Sequence, residues 1–254
     1  MGRISVLEIS VFMLGAFLPL FILVKPGLAV VKCPVNMVKI GKLCVDKYEA
    51  SVWSRRPDSN GNPQGTQFGV NGDDYPCSDN GNDCFKSLPG KIFAVSAPGV
   101  TPSAFITWFQ AQQACANVGK RLLRNGEWQM AAAGTPDPGT DDDATDCNIT
   151  FDSGSDPVPT GSRSNCVSNW GVFDMVGNLW EWVEDWVPAS TTCVNALYAE
   201  DFNCLAGAST TFGPGALVRG GGFGSGAVAG VFALNANNVP SSSFSFTVGF
   251  RCAR

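Results

Sequence analysis

Hydrophobic and polar positions follow several different patterns along this chain, and each pattern predicts a different kind of element. A long, mostly apolar run covers residues 4–24 and contains one charged residue, Glu8. Residues 37–52 instead alternate between apolar and polar side chains, which predicts a β-hairpin with its turn at Gly41 and Lys42. Apolar residues recur at helical spacing after residue 107. The chain therefore combines extended and helical segments that follow an apolar amino-terminal stretch.

Two helices are predicted between residues 107 and 134. The first begins at a capping box formed by Thr107 and Gln110 and ends at Gly119, because a residue without a side chain suits a helix carboxyl terminus. The second covers about residues 125–133 and stops at Gly134.

The remaining stretches are rich in glycine, proline, asparagine and aspartate, a composition typical of surface loops. Residues 54–99 form the first such stretch, and residues 134–169 form the second, with Asp141, Asp142 and Asp143 at its crest. The chain has 29 glycines and 16 prolines in 254 residues, and no repeat of fixed period. Residues 30–254 are therefore predicted to form a single domain with many loops.

Residues 1–29 predict a secretory signal peptide. Arg3 precedes the apolar run, and the small residues Gly27 and Ala29 stand where a signal peptidase reads the chain. The run is about 20 residues long, which is also enough to span a bilayer, so an uncleaved anchor is the alternative. Contact with a membrane is expected only in that case. The formal net charge is −5 and no basic patch or nucleic-acid motif appears, which argues against nucleic acid as a partner.

All ten cysteines follow Ala29. An even number of cysteines behind an export signal predicts disulfides formed in an oxidising compartment, so the protein is expected at the cell surface, in a periplasm or in the medium. Local spacing predicts four pairs and leaves two cysteines for a fifth. The predicted pairs are Cys33–Cys44, Cys77–Cys84, Cys147–Cys166, Cys193–Cys204 and Cys115–Cys252.

The last 36 residues carry a distinct motif at each end, and Gly, Ala, Ser, Val, Phe and Asn fill almost every position between the two motifs. RGG at 219–221 opens this segment and GFRC at 249–252 closes it. Together with GNLWEW at 177–182 and GKRLLRNGEW at 119–128, these motifs resemble the formylglycine-generating-enzyme (sulfatase-modifying factor) family. The resemblance covers roughly residues 35–254. It implies an α+β, C-type lectin-like fold with two helices, irregular antiparallel sheets, many loops and many disulfides.

The run AGVFALNANNVPS at 229–241 is similar to the variable proteins of diversity-generating retroelements. In those proteins, asparagine codons of a carboxyl-terminal repeat are rewritten at their adenines, which never yields Lys, Glu, Gln, Trp or Met. None of these residue types occurs between Gly222 and Val248. Several positions in the permitted set are predicted to contact a ligand: Phe223, Gly224, Ser225, Val228, Ser242, Phe244 and Phe246.

In an extended chain Ser242, Phe244 and Phe246 would point to one side. With Phe223, the phenylalanines would then form an apolar patch with small polar neighbours, a mixture common in binding surfaces. The alternative is that Phe244 and Phe246 are buried in the core. Three further apolar positions of the segment are assigned to the fixed scaffold: Val231, Phe232 and Leu234.

The same resemblance implies a structural calcium ion. Its ligands would be the side chains of Asp174 and Glu181 and the backbone carbonyls of Gly177 and Leu179, since calcium binds about six to eight oxygens. The alternative is that Asp174 caps a turn and that Glu181 pairs with an arginine. Asn148 is the candidate start of a second calcium site.

Catalysis is not expected. The oxidase of this family uses a cysteine pair shortly after its RGG-like anchor, whereas residues 222–235 contain no cysteine, and Ser225 and Gly230 fall near the missing thiols. Serine is a poor substitute for a thiolate, both as a soft copper ligand and as a nucleophile. The chain also has no histidine, so the usual Ser or Cys triads and the ligands of the related iron sulfoxide synthases are absent.

These observations predict a non-catalytic, hypervariable ligand-binding or display protein that recognises an extracellular protein or glycan through its carboxyl-terminal face. One alternative is a formylglycine-generating oxidase that acts on a sulfatase cysteine. Another is a structural component of the cell envelope. Trp180, Trp182 and Trp186 are assigned to the core, with a sugar-stacking platform as the alternative.

Overall fold

Short strands and two helices, joined by long loops, make up the described part of the chain. The computed structural model describes residues 32–85, 90–137, 139–150, 156–187, 214–241 and 245–254, and the backbone alone of residues 193–195 and 202–204. Val31–Arg254 form one compact unit. The helices are α1 Trp108–Asn117 and α2 Asn125–Ala131. The strands are β1 Met37–Ile40, β2 Leu43–Asp46, β3 Ala50–Arg55, β4 Gln64–Phe68, β5 Phe93–Ser96, β6 Arg121–Leu122, β7 Trp180–Val187, β8 Cys193–Asn195, β9 Phe202–Cys204, β10 Gly215–Arg219, β11 Leu234–Asn235, β12 Val248–Phe250 and β13 Cys252–Ala253.

The predicted amino-terminal hairpin is confirmed. Strands β1 and β2 pair antiparallel, with Met37 opposite Asp46. Their turn contains Gly41 at φ +62°, a backbone conformation that glycine adopts at little cost. The hairpin belongs to a four-stranded sheet in the order β1-β2-β13-β6, so the last strand of the chain lies beside the second.

The stretch predicted as a long loop, residues 54–99, contains two strands. Both β4 and β5 pair antiparallel with β3 and form a three-stranded sheet. Strand β5 is apolar and wholly buried, whereas β4 (QGTQF) is polar and mostly exposed. A short edge strand without apolar alternation carries little signal in its own sequence, because its partner supplies the pairing.

Helix α1 has the predicted capping box. Thr107 accepts a hydrogen bond from the backbone N–H of Gln110, and the Gln110 side chain accepts one from the N–H of Thr107. Gly119 follows the helix at φ +75°, as predicted for its carboxyl-terminal end. One face of α1 packs into the main core cluster, where Ala111 and Cys115 are fully buried.

The largest sheet has six strands in the order β12-β7-β10-β11-β9-β8. Two of its pairs, β12 with β7 and β11 with β9, are parallel. Antiparallel pairing predominates among the described strands, as predicted, and these two parallel pairs are irregularities within the largest sheet. Parallel neighbouring strands require a long connection. Strands β7 and β12 are joined by the long segment that contains β8 to β11.

Four predicted disulfides are confirmed. They are Cys33–Cys44, Cys77–Cys84, Cys115–Cys252 and Cys147–Cys166. The side chains of the fifth predicted pair lie outside the described residues, although β8 and β9 place Cys193 directly opposite Cys204. The bridge between Cys115 and Cys252 joins α1 to the last strand across 137 residues, so it closes a long loop of the unfolded chain.

The three tryptophans assigned to the core differ in their surroundings. Trp182 is buried, whereas Trp180 is partly buried and Trp186 is exposed, so the assignment of Trp186 was wrong. The Trp186 ring stacks edge-on against Trp108 and Phe109 at the surface. Residues 1–31 lie outside the described part of the chain, and the signal peptide stays a prediction. Within the described part, no helix has the length and apolarity needed to cross a membrane.

Candidate recognition face

Arg251 anchors the carboxyl-terminal end of the segment 219–254. Its guanidinium is fully buried and bonds to the carboxylate of Glu181, with Nε 2.8 Å from each carboxylate oxygen. The same guanidinium donates to the backbone carbonyls of Phe173 and Asp174. Glu181 also accepts a 2.7 Å hydrogen bond from the indole of Trp128. This buried pair is hydrogen-bonded on both sides, as a buried ion pair must be to offset its desolvation.

Arg219 anchors the opening end in a different way. Its guanidinium lies 4.5 Å from the ring centroid of Trp128 and donates to the carbonyls of Val231 and Ala233 at 3.0 and 2.9 Å. The side chains of Asn125 and Gln129, both on α2, also accept hydrogen bonds from it. A planar guanidinium can stack and donate at once, which a lysine cannot. Helix α2 therefore fixes both Arg219 and the backbone near residue 232.

A short loop near the end of the segment is held at two points across the beginning of α1. The N–H of Trp108 donates to the carbonyl of Pro240 at 3.1 Å, and the N–H of Phe105 donates to that of Ser245 at 3.0 Å. Residues 242–244 lie between these points and outside the described residues, so the predicted positions Ser242 and Phe244 are among those not described.

Phe223 does not lie on the surface, which corrects its assignment as a ligand contact. Its side chain is fully buried in a small cluster with Ala104 and Leu179. The set of permitted residue types could not reveal this, because Phe223 follows a turn after β10, where burial is decided by tertiary neighbours. The ring lies 5.6 Å from that of Phe246, which is 46% exposed. The buried ring of Phe223 thus packs against the partly exposed ring of Phe246.

The other predicted contact positions that are described reach the surface to different degrees. Val228 is exposed, and Gly224 and Ser225 are partly buried. The hydroxyl of Ser225 accepts a 2.9 Å hydrogen bond from the N–H of Gly222. Phe232, assigned to the scaffold, is also exposed, so that assignment was wrong.

Phe246 belongs to an aromatic patch that includes residues from outside the segment. The ring of Phe105 lies 6.5 Å from it, and Phe105 has φ +54°, an uncommon conformation for a bulky residue. Phe105, Phe246 and the exposed Val70 line a cavity of about 310 Å³. We call these three residues the recognition patch. Val70 and Phe105 lie far from Phe246 in the sequence, and periodicity gave no signal for them.

The two side chains predicted to bind calcium are engaged by protein groups in this structure, and the calcium site stays a prediction. Both carboxylate oxygens of Glu181 are occupied by Arg251 and Trp128, and Asp174 accepts a hydrogen bond from the N–H of Gly161. Within the described residues no group of three or more acidic, cysteine or histidine side chains is arranged to hold a metal. The arrangement instead matches the alternative, in which Asp174 caps a turn at φ +58° and Glu181 pairs with an arginine.

Asn148, the candidate start of a second calcium site, has a side-chain oxygen that is buried without a hydrogen-bond partner among the described residues. Its amide donates to the side chain of Asn178 at 3.1 Å. The neighbouring carbonyl of Ile149 accepts from the N–H of Gly226. One open oxygen is far fewer than calcium requires, so this second site also remains a prediction.

Buried acids surround Arg251. Burial raises the pKa of Glu49 well above its usual range, and the negative charges of Asp174 and Glu181 raise it further. Burial also raises the pKa of Asp174 to about 7, while the hydrogen bond from Gly161 and the charge of Arg251 act in the opposite direction. Glu49 accepts hydrogen bonds from the side chain of Asn178 and the N–H of Leu179. These groups tie the GNLWEW motif to the amino-terminal half of the domain.

Comparison with known proteins places this architecture in a family. The model of the sulfatase-modifying factor enzyme 1-like domain matches residues 70–254. The chain belongs to this family. Together with the two helices and the disulfide-rich sheets, the match confirms the predicted α+β, C-type lectin-like fold of the formylglycine-generating-enzyme type.

Individual related proteins match this chain over shorter stretches than the family model does. The serine/threonine-protein kinase pkn1 of Chlamydia caviae is 32% identical over 102 residues, which are 38% of this chain and 16% of that protein. The formylglycine-generating enzyme of Thermomonospora curvata is 32% identical over 101 residues, 34% of this chain and 33% of that enzyme. The chain thus spans at most a third of either relative. Among solved structures, the Major Tropism Determinant U1 variant is 21% identical with a TM-score of 0.47, over 86% of this chain and 52% of that one.

Ser225 and Gly230, predicted from the sequence to fall near the oxidase's thiols, both take part in backbone hydrogen bonds. Ser225 bonds to Gly222, and the N–H of Gly230 donates to the carbonyl of Gly220. Every cysteine whose side chain is described is part of a disulfide. The described residues therefore offer no thiolate near the opening anchor.

Proposed function

We propose that this protein is an exported, non-catalytic recognition protein that binds an extracellular protein or glycan through the carboxyl-terminal segment 219–254. The observation that carries this function is the position of Phe246. It is the outward-facing member of a rigid aromatic pair, it borders a cavity, and it lies in the stretch that lacks the residue types an asparagine-codon rewriting cannot produce.

The geometry suits recognition because the exposed groups are fixed in advance. Phe246 packs on the buried Phe223, and the loop before it is bonded to Phe105 and Trp108. A ring that is already held in place loses little conformational freedom when a partner covers it. Aromatic residues in such settings supply a large share of binding energy. Val228 and Phe232 add two more exposed apolar side chains from the same segment.

A catalytic role has less support. Residues 222–235 contain no cysteine, and the chain has no histidine. The four described disulfides favour an oxidising location, where an exported binding protein would act.

Diversification of the segment is tested in the neighbouring DNA. We expect a near-copy of the sequence that encodes residues 219–254, beside a reverse-transcriptase gene. Its mismatches should fall at adenines of the copy, in codons for exposed positions such as Val228 and Phe246. Absence of any such copy would remove hypervariability from the function and leave a fixed binding protein.

Binding is tested on an array of purified extracellular proteins and glycans, with Phe246→Ala and Trp170→Ala as a matched pair. Both side chains are 46% exposed, but Trp170 lies outside the segment. For any ligand captured by the wild type, Phe246→Ala should weaken binding about tenfold or more, and Trp170→Ala should leave it unchanged. Equal effects of the two variants would contradict a recognition role for the segment.

The competing functions have their own readouts. Copper-dependent conversion of a cysteine peptide to formylglycine would overturn the non-catalytic assignment. Self-association of the purified protein, insensitive to Phe246→Ala, would favour a structural component of the envelope.

A further inference from the structure

Two adjoining cavities lie at the other end of α1 from the recognition patch. One, of about 520 Å³, is lined by residues that include Val118 and Lys120, directly after the helix. The second, of about 590 Å³, lies between the turn of the first hairpin and α2. Arg254 lines both, so the two cavities meet at its side chain.

Cations from distant parts of the chain converge on these cavities. Two of them are neutralised, since Lys120 pairs with Asp46 and Arg121 pairs with Glu127. Four others form no ion pair with an acidic side chain among the described residues, although Arg56 donates a hydrogen bond to the carbonyl of Asn117: Lys32, Lys42, Arg56 and Arg254. The two linings contain only the acids Asp58 and Glu127, whereas the whole chain has 22 acidic against 17 basic residues. The sequence showed no basic patch because these residues come together only in the fold.

Exposed apolar side chains stand among these cations. Val35, Met130 and Trp170 line the same cavities and are among the most exposed large apolar residues described. Each lies on a different element, namely the chain before β1, helix α2 and the loop before β7. We call the four cations without an acidic partner, together with these three apolar residues, the basic patch.

We propose that the basic patch rests on an anionic lipid surface. Lys and Arg beside exposed tryptophan and aliphatic groups form the mixture that suits a membrane interface, where the cations meet lipid phosphates and the indole enters the headgroup layer. A soluble partner with an acidic surface would satisfy the cations but would not by itself account for three separate exposed apolar groups.

The position of the patch in the chain favours the same occupant. The apolar run of residues 4–24 ends eight residues before Lys32. Eight residues extend about 28 Å at most, so a bilayer that held this run during export or as an anchor would be within reach of the patch. This contact is expected for the cleaved product too, because it depends on the folded domain.

Helix α1 separates the two faces. It has ten residues, about 15 Å of helix. At its beginning, Phe105 and Trp108 hold the loop that precedes Phe246, and beyond its end Val118 and Lys120 line the first cavity. A domain seated on a membrane through the basic patch would therefore turn Phe105 and Phe246 away from the lipid. Lipid binding itself does not depend on the proposed recognition function.

The test uses the disulfide-bonded chain from Val30 onward, so that the apolar run cannot contribute. Cosedimentation is measured with vesicles of phosphatidylcholine and phosphatidylglycerol, and with vesicles of phosphatidylcholine alone. We expect binding to the anionic vesicles only, weakening as salt is added. Lys42→Glu should lower the partition coefficient about tenfold and Trp170→Ala about fivefold, whereas Phe246→Ala should not change it. Lys42 and Trp170 are both exposed, and near-ultraviolet circular dichroism checks that all three variants are folded.

The remaining outcomes each decide against a lipid surface. Binding to heparin but not to anionic vesicles would assign the patch to a soluble polyanion. Loss of binding in Lys42→Glu without any effect of Trp170→Ala would indicate unspecific charge attraction. No binding to either would remove the interaction altogether, while leaving the result for Phe246→Ala on the protein and glycan array unaffected.

Discussion

The two anchor residues of the segment 219–254 are buried, whereas parts of the stretch between them are exposed. Arg219 and Arg251 are enclosed by hydrogen bonds, an ion pair and a tryptophan ring. Between them, Val228, Phe232 and Phe246 lie open to solvent. The ends determine where the backbone runs, and the middle determines which side chains it presents. A segment built in this way can change its exposed residues with little effect on folding, which is what a diversified binding surface requires.

The largest effect is expected from breaking the closing anchor. Arg251→Leu would leave the carboxylate of Glu181 buried without its cation, and removing one partner of a buried pair costs about 3–5 kcal/mol. Urea unfolding of the disulfide-bonded protein measures this loss. A loss below about 1 kcal/mol would contradict the view that Arg251 anchors the carboxyl-terminal end of the segment to the rest of the domain. Arg124→Leu, at an exposed arginine that pairs with Glu184, is the control and should cost little.

Two phenylalanines that touch each other give a sharper comparison. Phe223→Ala should lower the free energy of unfolding by about 3 kcal/mol, since it empties a buried cluster. Phe246→Ala should lower it by about 1 kcal/mol or less, because almost half of that side chain is already in water. Thermal or urea unfolding separates the two. Equal losses would mean that Phe246 belongs to the frame and not to the binding surface.

The sequence predicted the frame better than the exposed middle. The capping box of α1 is a local signal between residues three apart, and four disulfides followed from spacing and elimination. The burial of Phe223 and the exposure of Phe232 depend on partners far along the chain, so the residue types of the segment did not reveal either. Likewise, the cation that pairs with Glu181 is 70 residues away, and only the fold brings Arg251 to it.

A smaller effect is expected from pH. The pKa of Asp174 is raised to about 7 from its ordinary value of 3.8, so between these values the folded protein keeps a proton that the unfolded chain releases. Its contribution to stability is therefore greatest at about pH 4 and is lost as the pH rises to about 7. Asp174→Asn removes this titration but can still accept the hydrogen bond from Gly161, and asparagine tolerates the positive φ.

The two proteins should be equally stable near pH 4, and the variant should be more stable by roughly 1–3 kcal/mol near pH 7. Urea unfolding across this range measures the difference. A variant that is less stable at pH 7 would show that the charged carboxylate is needed by the frame. Repeating the series with calcium and with a chelator also tests the predicted ion. A calcium-dependent gain in the wild type that Asp174→Asn abolishes would confirm the predicted metal site.

The smallest effect is expected at the border between the frame and the middle. Ser225 is partly buried, and its hydroxyl accepts a hydrogen bond from Gly222, directly after the opening anchor. Ser225→Ala should cost about 1 kcal/mol, the usual net worth of one such bond, and Ser225→Thr should keep most of it. Denaturant unfolding resolves a difference of this size when the slopes of the transitions agree. If Ser225→Ala instead costs as much as Phe223→Ala, the fixed frame continues past Gly222, and the exchangeable part of the segment begins only beyond residue 225.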